Sequence, residues 1–329
     1  MQSVAHIAPS IPPTQPRLRV AICIATFRRR EQLAKLLVGV SHLTFLRAPA
    51  PEITVVVIDN DAASSAEEIC NAATLPWPLK YVVESRRGIA QARNRAIVEA
   101  GDVDFVAFID DDEYPCYAWL DELLATQSQF AADVVCGPVI PDFHADVPRW
   151  VREGLFFNRA IRDSGESLDQ CYAGNVMVRG ALFGKLNVFD ERFALTGGED
   201  THFFLRVRQS GSTMVSSSRA VVHEAVSRSR GNLRWVLRRA YQCGNAWVLC
   251  ELSLDRTIPT RFIRLLKACG RILQGTLSMP ISSFRGTAAL ARSLRNIVLG
   301  AGMLGGLVGH NFKPYQSAGA ELVKPRSDQ

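Results

Sequence analysis

The sequence predicts an α/β protein whose sheet carries helices on both faces, followed by a basic helical region. Three observations lead there. Apolar, β-rich runs alternate with helix-periodic runs between residues 18 and 109, the pattern that builds a parallel sheet. Three of the four strands in that stretch end in polar or acidic turns, at the edge where such sheets bind ligands. Charge is divided along the chain. Residues 1–200 hold 19 Lys+Arg and 27 Asp+Glu, net −8, whereas residues 201–329 hold 19 and 5, net +14.

Residues 1–17 contain four prolines and no periodicity, and read as a disordered lead-in. The first strand is expected over 18–26, and Leu33, Leu36, Leu37 and Val40 give 30–40 helical spacing. A second strand, 53–58, runs into Asp59-Asn60-Asp61, and 64–73 reads as a helix. A third strand at 79–83 leads to a helix at 89–100 that carries Arg93 and Arg95. The fourth, 105–109, is stopped by Asp110-Asp111-Asp112-Glu113. After residue 120 the order loosens. A strand broken at Gly137-Pro138 spans 134–140, 142–170 is mostly loop, and 175–178 is a short strand. A helix at 199–209 follows Gly197-Gly198, with short strands at 213–215 and 220–223. Residues 233–254 and 261–277 read as basic amphipathic helices, and 287–308 is small and apolar apart from Arg292 and Arg295. The expected organisation is a main domain over 18–228, a basic helical region over 229–310 and a flexible tail over 311–329.

Composition excludes several classes. At 47% hydrophobic and 21% charged residues the chain can bury a full core. No run reaches about 18 uncharged apolar residues, so no ordinary spanning helix is expected. The eight cysteines are scattered without a CxxC pair, which disfavours a zinc ribbon and suits reduced thiols in a cytosol. No secretory signal is visible, and neither GxGxxG nor GxxxxGK[ST] follows the first strand.

The acidic turn Asp110 to Asp112 is the strongest single feature. Alone it reads as a solvated loop, but at the end of a buried strand it suits a hard cation, Mg²⁺ or Mn²⁺, that shares its sphere with phosphate oxygens. Glu199-Asp200 opens a helix and reads either as a cap or as a carboxylate base for a hydroxyl. Arg93 and Arg95 read as surface ion pairs or as phosphate ligands. His223, ending a short strand, reads as a structural histidine or as a metal or phosphate partner.

Five segments in order carry a resemblance: Ala25-Thr26-Phe27-Arg28-Arg29, Val57-Ile58-Asp59-Asn60-Asp61, Gly88-Ile89-Ala90-Gln91-Ala92-Arg93-Asn94, Phe108-Ile109-Asp110-Asp111-Asp112 and Gly197-Gly198-Glu199-Asp200. Together they resemble the family-2 inverting glycosyltransferases, over roughly residues 18–225. Within that family the wording around Asp110 to Trp119 is most similar to bacterial exopolysaccharide glucosyltransferases of the succinoglycan type. The resemblance implies the A-type fold, a Rossmann-like mixed sheet that binds a nucleotide sugar, with a UDP-hexose as the expected donor and Mg²⁺ or Mn²⁺ as the expected cation. It implies that Thr26, Arg28 and Asp59 line the nucleotide pocket, with Asp59 at the uracil edge, and that Arg93 and Asp111 belong to the same donor site. Asp110 and Asp112 become the DxD pair, with Asp112 the direct metal ligand, Asp110 nearer the ribose and His223 beside the metal or diphosphate. Asp200 becomes the catalytic base, with Glu199 shaping the acceptor site. Asn60 stands where the family often has a second Asp, and no QxxRW motif marks a processive synthase.

The basic helices suggest a peripheral protein on the inner face of the cytoplasmic membrane, with a lipid-linked saccharide acceptor and anionic lipid as partners; a solvated helical subdomain is the plainer reading. Two rivals belong to other classes: a sugar-nucleotide-binding protein without transfer activity, and a nucleic-acid-binding protein built on the +14 half. The latter lacks any zinc-finger, RNP or helix-turn-helix signature.

Overall fold

A computed structural model of the chain describes residues 17–313. The expected lead-in and tail fall outside the described residues, apart from residue 17 and residues 311–313.

The N-terminal half alternates as its apolar pattern dictates. Strands β1 (Arg19–Thr26), β2 (Glu52–Asp59), β3 (Leu79–Val83) and β4 (Phe105–Ile109) are joined through helices α1 (Arg30–Ser41), α2 (Glu67–Ala72) and α3 (Ile89–Ala100). The next elements are β5 (Glu113–Pro115), α4 (Trp119–Phe130), β6 (Val134–Cys136), β7 (Val139–Phe143), α5 (Arg149–Glu153), β8 (Asn175–Arg179) and α6 (Ala181–Leu186). A 3₁₀ turn at Glu191–Phe193 precedes α7 (Glu199–Gln209), β9 (Met214–Ser216) and β10 (Val222–Val226). Helices α8 (Leu233–Leu254), α9 (Ile258–Phe284) and α10 (Thr287–Leu307) complete the described chain.

Seven strands form one sheet in the order β3-β2-β1-β4-β8-β6-β9. β1 to β4 are parallel, but β8 runs antiparallel to both β4 and β6, so the sheet is mixed. Because side chains alternate across a strand, β1 divides its apolar residues between two cores: Val20, Ile22 and Ile24 on one face, Ala21 and Cys23 on the other. Leu33, Leu36, Leu37 and Val40 of α1 join the first core, and Ala90, Ala92 and Ala96 of α3 the second. A small sheet, β5-β10-β7, stands beside the first one and begins directly at the acidic turn.

The three C-terminal helices pack on one another and on the sheet domain. Helix α10, the apolar stretch, buries its small residues against both neighbours. A Cβ at Gly244 would stand 2.2 Å from the Leu299 carbonyl oxygen, and one at Gly302 would stand 2.2 Å from that of Tyr241. Gly244 of α8 and Gly302 of α10 therefore serve close backbone contact between the two helices. A buried cluster of Phe193, Leu205 and Cys250 joins the main domain to α8 across the sequence boundary expected at 228. Among the described residues no helix is long and apolar enough to cross a membrane.

Candidate active site

The C-terminal ends of β1, β2 and β4, the start of α7 and the loop before β8 converge on one polar region. Register explains the meeting: Thr26 stands opposite Asp59 in the β1–β2 ladder, and β4 is β1's other neighbour.

The acidic turn presents its carboxylates in different directions. Asp111 points back into the fold, accepting from the Thr26 hydroxyl at 2.8 Å and from Arg29 at 2.7 Å. It is a clamp between two strand ends, and burial raises its carboxyl above the ordinary range. Asp112 lies 3.1 Å from Arg29 and 3.0 Å from Arg230, yet burial still pushes it up to about 6. Asp110 is the accessible one, its side chain 41% exposed, and it accepts from Arg93 at 2.7 Å. Its backbone N–H donates to the carboxylate of Glu113 at 3.0 Å, and the Glu113 N–H returns to the Asp110 carbonyl at 3.0 Å. Glu113 is fully buried, and burial together with Asp110 and Asp112 holds it well above the ordinary carboxyl range.

Arg93 and Arg95 separate cleanly. Arg95 is exposed and pairs with Glu99 one turn on at 2.6 Å, the surface reading. Arg93 is buried and joins Asp110 at the end of β4 to Glu199 at the start of α7. Glu199 is also buried, which raises it to about 7; Arg93 works against that rise and neighbouring Asp200 adds to it. Asp200 is only part-buried. It accepts from the Thr201 N–H at 2.6 Å and from the Ala173 N–H at 3.5 Å, so its position is fixed while one side stays accessible. Gly198 makes the preceding turn at φ +95°, a conformation side chains rarely adopt.

At the β2 end, Asp59 is buried and its carboxylate accepts from the Ala66 N–H at 2.7 Å, the Asp61 N–H at 3.0 Å and the Tyr81 hydroxyl at 3.0 Å. In this structure it holds the β2–α2 turn. The carboxylate that faces the first loop is Asp61, paired with Arg28 at 2.8 Å. Arg28 sits at φ 54°, and its neighbour Phe27 is covered by the Arg87 guanidinium 3.5 Å from the ring centroid. Asn60 has work that an Asp could not do. Its amide donates to the carbonyls of Glu84 and Arg86, each at 2.8 Å, while its oxygen accepts from the Gly88 N–H at 2.8 Å.

His223 is not brought together with Asp110 and Asp112. It pairs in register with Tyr114 and stacks on it, ring centroids 5.3 Å apart. The next residue, Glu224, lies in register with Glu113 on the opposite face and pairs with Arg230, which also holds Asp112. Glu113, Glu224, Arg29 and Arg230 therefore belong to the site without having been singled out. Glu113 extends the acidic run, and period-two alternation along β10 distinguishes Glu224 from His223 once the inward face is known. Arg29 and Arg230 carried no comparable signal.

The donor set is all oxygen, which fits a hard divalent cation better than a soft one. Asp111, Asp112 and Glu224 share Arg29 and Arg230, and Asp110 pairs with Arg93, while burial and the neighbouring Asp110 and Asp112 hold Glu113 well above the ordinary carboxyl range; a cation added at the turn would ease this crowding of carboxylates. Among the described residues no group of three or more His, Cys, Asp or Glu is arranged to hold a metal by itself.

Comparison with known proteins places these features. The family model described as Glycosyl transferase family 2 matches residues 21–186. The chain is 30% identical over 317 residues to the succinoglycan biosynthesis protein ExoM of Rhizobium meliloti (strain 1021), covering 93% of this chain and 97% of that one. Among solved structures it is similar to the mannosyltransferase PcManGT from Pyrobaculum calidifontis in complex with GDP-Man and Mn²⁺, with TM-score 0.56, 18% identity, and 93% and 80% of the two chains covered. It is similar also to S. aureus TarS 1-349, with TM-score 0.50, 17% identity, and 89% and 92% covered. These structural likenesses bear out the A-type glycosyltransferase fold.

Proposed function

The chain belongs to glycosyltransferase family 2, and from that premise we propose an inverting, metal-dependent hexosyltransferase of bacterial surface or exopolysaccharide synthesis. It takes its sugar from a nucleoside diphosphate donor, a UDP-hexose, and passes it to a lipid-linked saccharide at the inner face of the cytoplasmic membrane. The exopolysaccharide setting is supported by the ExoM relative, which matches along nearly its whole length.

One observation carries the reading. Buried Arg93 bonds Asp110 of the donor turn and Glu199 of α7, so the strand end suited to a diphosphate and the helix start bearing Asp200 form one rigid unit. In direct displacement the acceptor hydroxyl attacks the anomeric carbon opposite the departing diphosphate and needs a base on its own side. Asp200 is the accessible carboxylate there, whereas Glu199 is buried and committed to Arg93. Asp200 takes the hydroxyl proton; Glu199 and Arg93 keep it in place.

Thr26 to Arg29 and the turn after β2 form the nucleotide side, with Arg28, Arg87 and Phe27 at its surface. Asp112 and Asp110 would hold Mg²⁺ or Mn²⁺, Asp112 after exchanging its arginine partners. When bound, the cation would neutralise charge on the leaving diphosphate.

The test is a donor screen with the intact protein, Mn²⁺ or Mg²⁺ and membrane lipid extract, read by nucleoside diphosphate release and by the anomeric configuration of the product. Asp200→Asn should lower kcat by about 10²–10⁴-fold with donor affinity nearly unchanged. Near-native transfer by that variant would remove Asp200 as the base. Donor binding without transfer to any acceptor would favour a binding protein.

A further inference from the structure

Helix α9 leaves one of its faces without a partner. Phe262, Leu266, Leu273, Leu277, Ile281 and Phe284 are between 56% and 93% exposed. Most of them recur at intervals of four and seven residues, so they form a single stripe along the helix. The buried residues of α9, Ala268, Gly275 and Ser282, lie on a different side, against α10. A contiguous apolar stripe of this length is unusual on a solitary soluble surface and marks an interaction site.

The chemistry beside the stripe indicates its occupant. Arg261, Lys267, Arg271 and Arg285 border it, and no Asp or Glu occurs between Asp255 and Glu321. Two copies of α9 packed face to face would bring these cations together with no carboxylate on the helix to offset them. An anionic surface meets both requirements, taking the apolar side chains into its interior while its headgroups face the arginines and lysine.

We infer that α9 is an interfacial helix that lies along an anionic phospholipid bilayer, with the Phe262–Phe284 stripe as its buried face. This deepens the reading of a lipid-linked acceptor and relocates the contact: α10, the more apolar helix in sequence, is used inside the bundle, and the amphipathic α9 faces outward.

The experiment uses the full chain and cosedimentation with vesicles of phosphatidylcholine alone or mixed with phosphatidylglycerol. Wild type should bind the mixed vesicles, less so at high salt, and bind neutral ones weakly. Leu273→Glu with Leu277→Glu should lower the partition coefficient by at least about tenfold, because two exposed leucines no longer enter the bilayer. Lys267→Glu with Arg271→Glu should abolish the preference for phosphatidylglycerol. Val38→Glu, at an equally exposed apolar position on α1, should change nothing.

Donor hydrolysis in solution, measured on the same variants, should stay at the wild-type rate. Its loss in wild type as well would count against the transferase reading, independently of vesicle binding. Wild type remaining in the supernatant with mixed vesicles at low salt would overturn the inference. So would undiminished binding by the leucine variant. A dimer seen by light scattering that the leucine variant dissociates, with no vesicle binding, would assign the face to a second copy instead.

Discussion

At the scale of single residues, the site is governed by how many charges it buries. Arg93 is 6% exposed and Glu199 3%, so each depends on the other for the solvation it has lost. Replacing Arg93 alone strands a buried carboxylate, whereas Asp110, being 41% exposed, can turn to water. Arg93→Met should therefore cost about 3–5 kcal/mol of stability, mostly through Glu199. Adding Glu199→Gln should restore most of that loss but not activity, since Asp110 and Asp200 would still lack their common anchor. Urea denaturation of both variants checks this. Equal destabilisation in the single and double variants would show that Arg93 acts through something other than Glu199. The sequence made Arg93 a candidate and could not separate it from Arg95. Both lie on one helix two residues apart, and only the direction of the inner face decides which guanidinium is buried.

At the scale of elements, α7 carries Asp200, the proposed base, in its first turn and an imidazole two residues later. His202 is 4% exposed, packs against Phe193 with ring centroids 5.0 Å apart, and neither ring nitrogen has a hydrogen-bond partner among the described residues. Burial lowers its pKa from 6.5 to about 4, with Arg206 and Arg192 adding to the effect and Asp190 opposing it. The folded state therefore holds the ring neutral, while the unfolded chain takes up a proton as pH falls through 6.5. Stability should be unaffected by this group above pH 7 and should decline below about 6.5, levelling off under pH 4. At pH 4.5 the loss amounts to about 2–3 kcal/mol. His202→Leu should remove that part of the acid sensitivity, so the stability of wild type minus that of the variant should fall by this amount between pH 7 and 4.5 in denaturation curves run side by side. Parallel pH profiles would mean that the imidazole is solvated after all. Elements were the most legible level. The helices at 89–100 and 199–209 and the strand at 79–83 are found at the bounds that periodicity predicts. Helix α4 has no counterpart among the expected elements, although its Leu120, Leu123 and Leu124 are buried. Its first turn follows the acidic turn and β5 closely, with no turn residue to mark where a helix begins.

At the scale of the whole molecule, the basic C-terminal region is joined to the chemistry through packing. Cys250 of α8 donates to the Gly198 carbonyl at 3.1 Å, and Gln242 reaches the Thr196 carbonyl at 3.3 Å. The Gly197-Gly198 turn thus rests on α8, two residues before Asp200. Charge arithmetic does not reveal this, because the contacts are made by neutral side chains on an arginine-rich helix. The expected consequence is a coupling between the bundle and Asp200, the proposed base. A Cβ on Gly198 would already stand 3.2 Å from the Ala246 Cβ, so the groove between turn and helix has no spare room. Ala246→Leu adds three carbons there and must push the turn away from α8. Overpacking of this kind costs about 1–3 kcal/mol. A displacement passed to Asp200 should lower kcat by more than about tenfold, since productive geometry tolerates little misplacement. Donor affinity should hold, because Thr26, Arg28 and Asp110 bond to Asp111, Asp61 and Arg93, none of them on α8. Steady-state kinetics beside a melting curve separates the two roles. A lower Tm with unchanged kcat would make the bundle a prop for stability alone, while a fall in kcat at constant donor affinity would make it part of the machinery that aims the base.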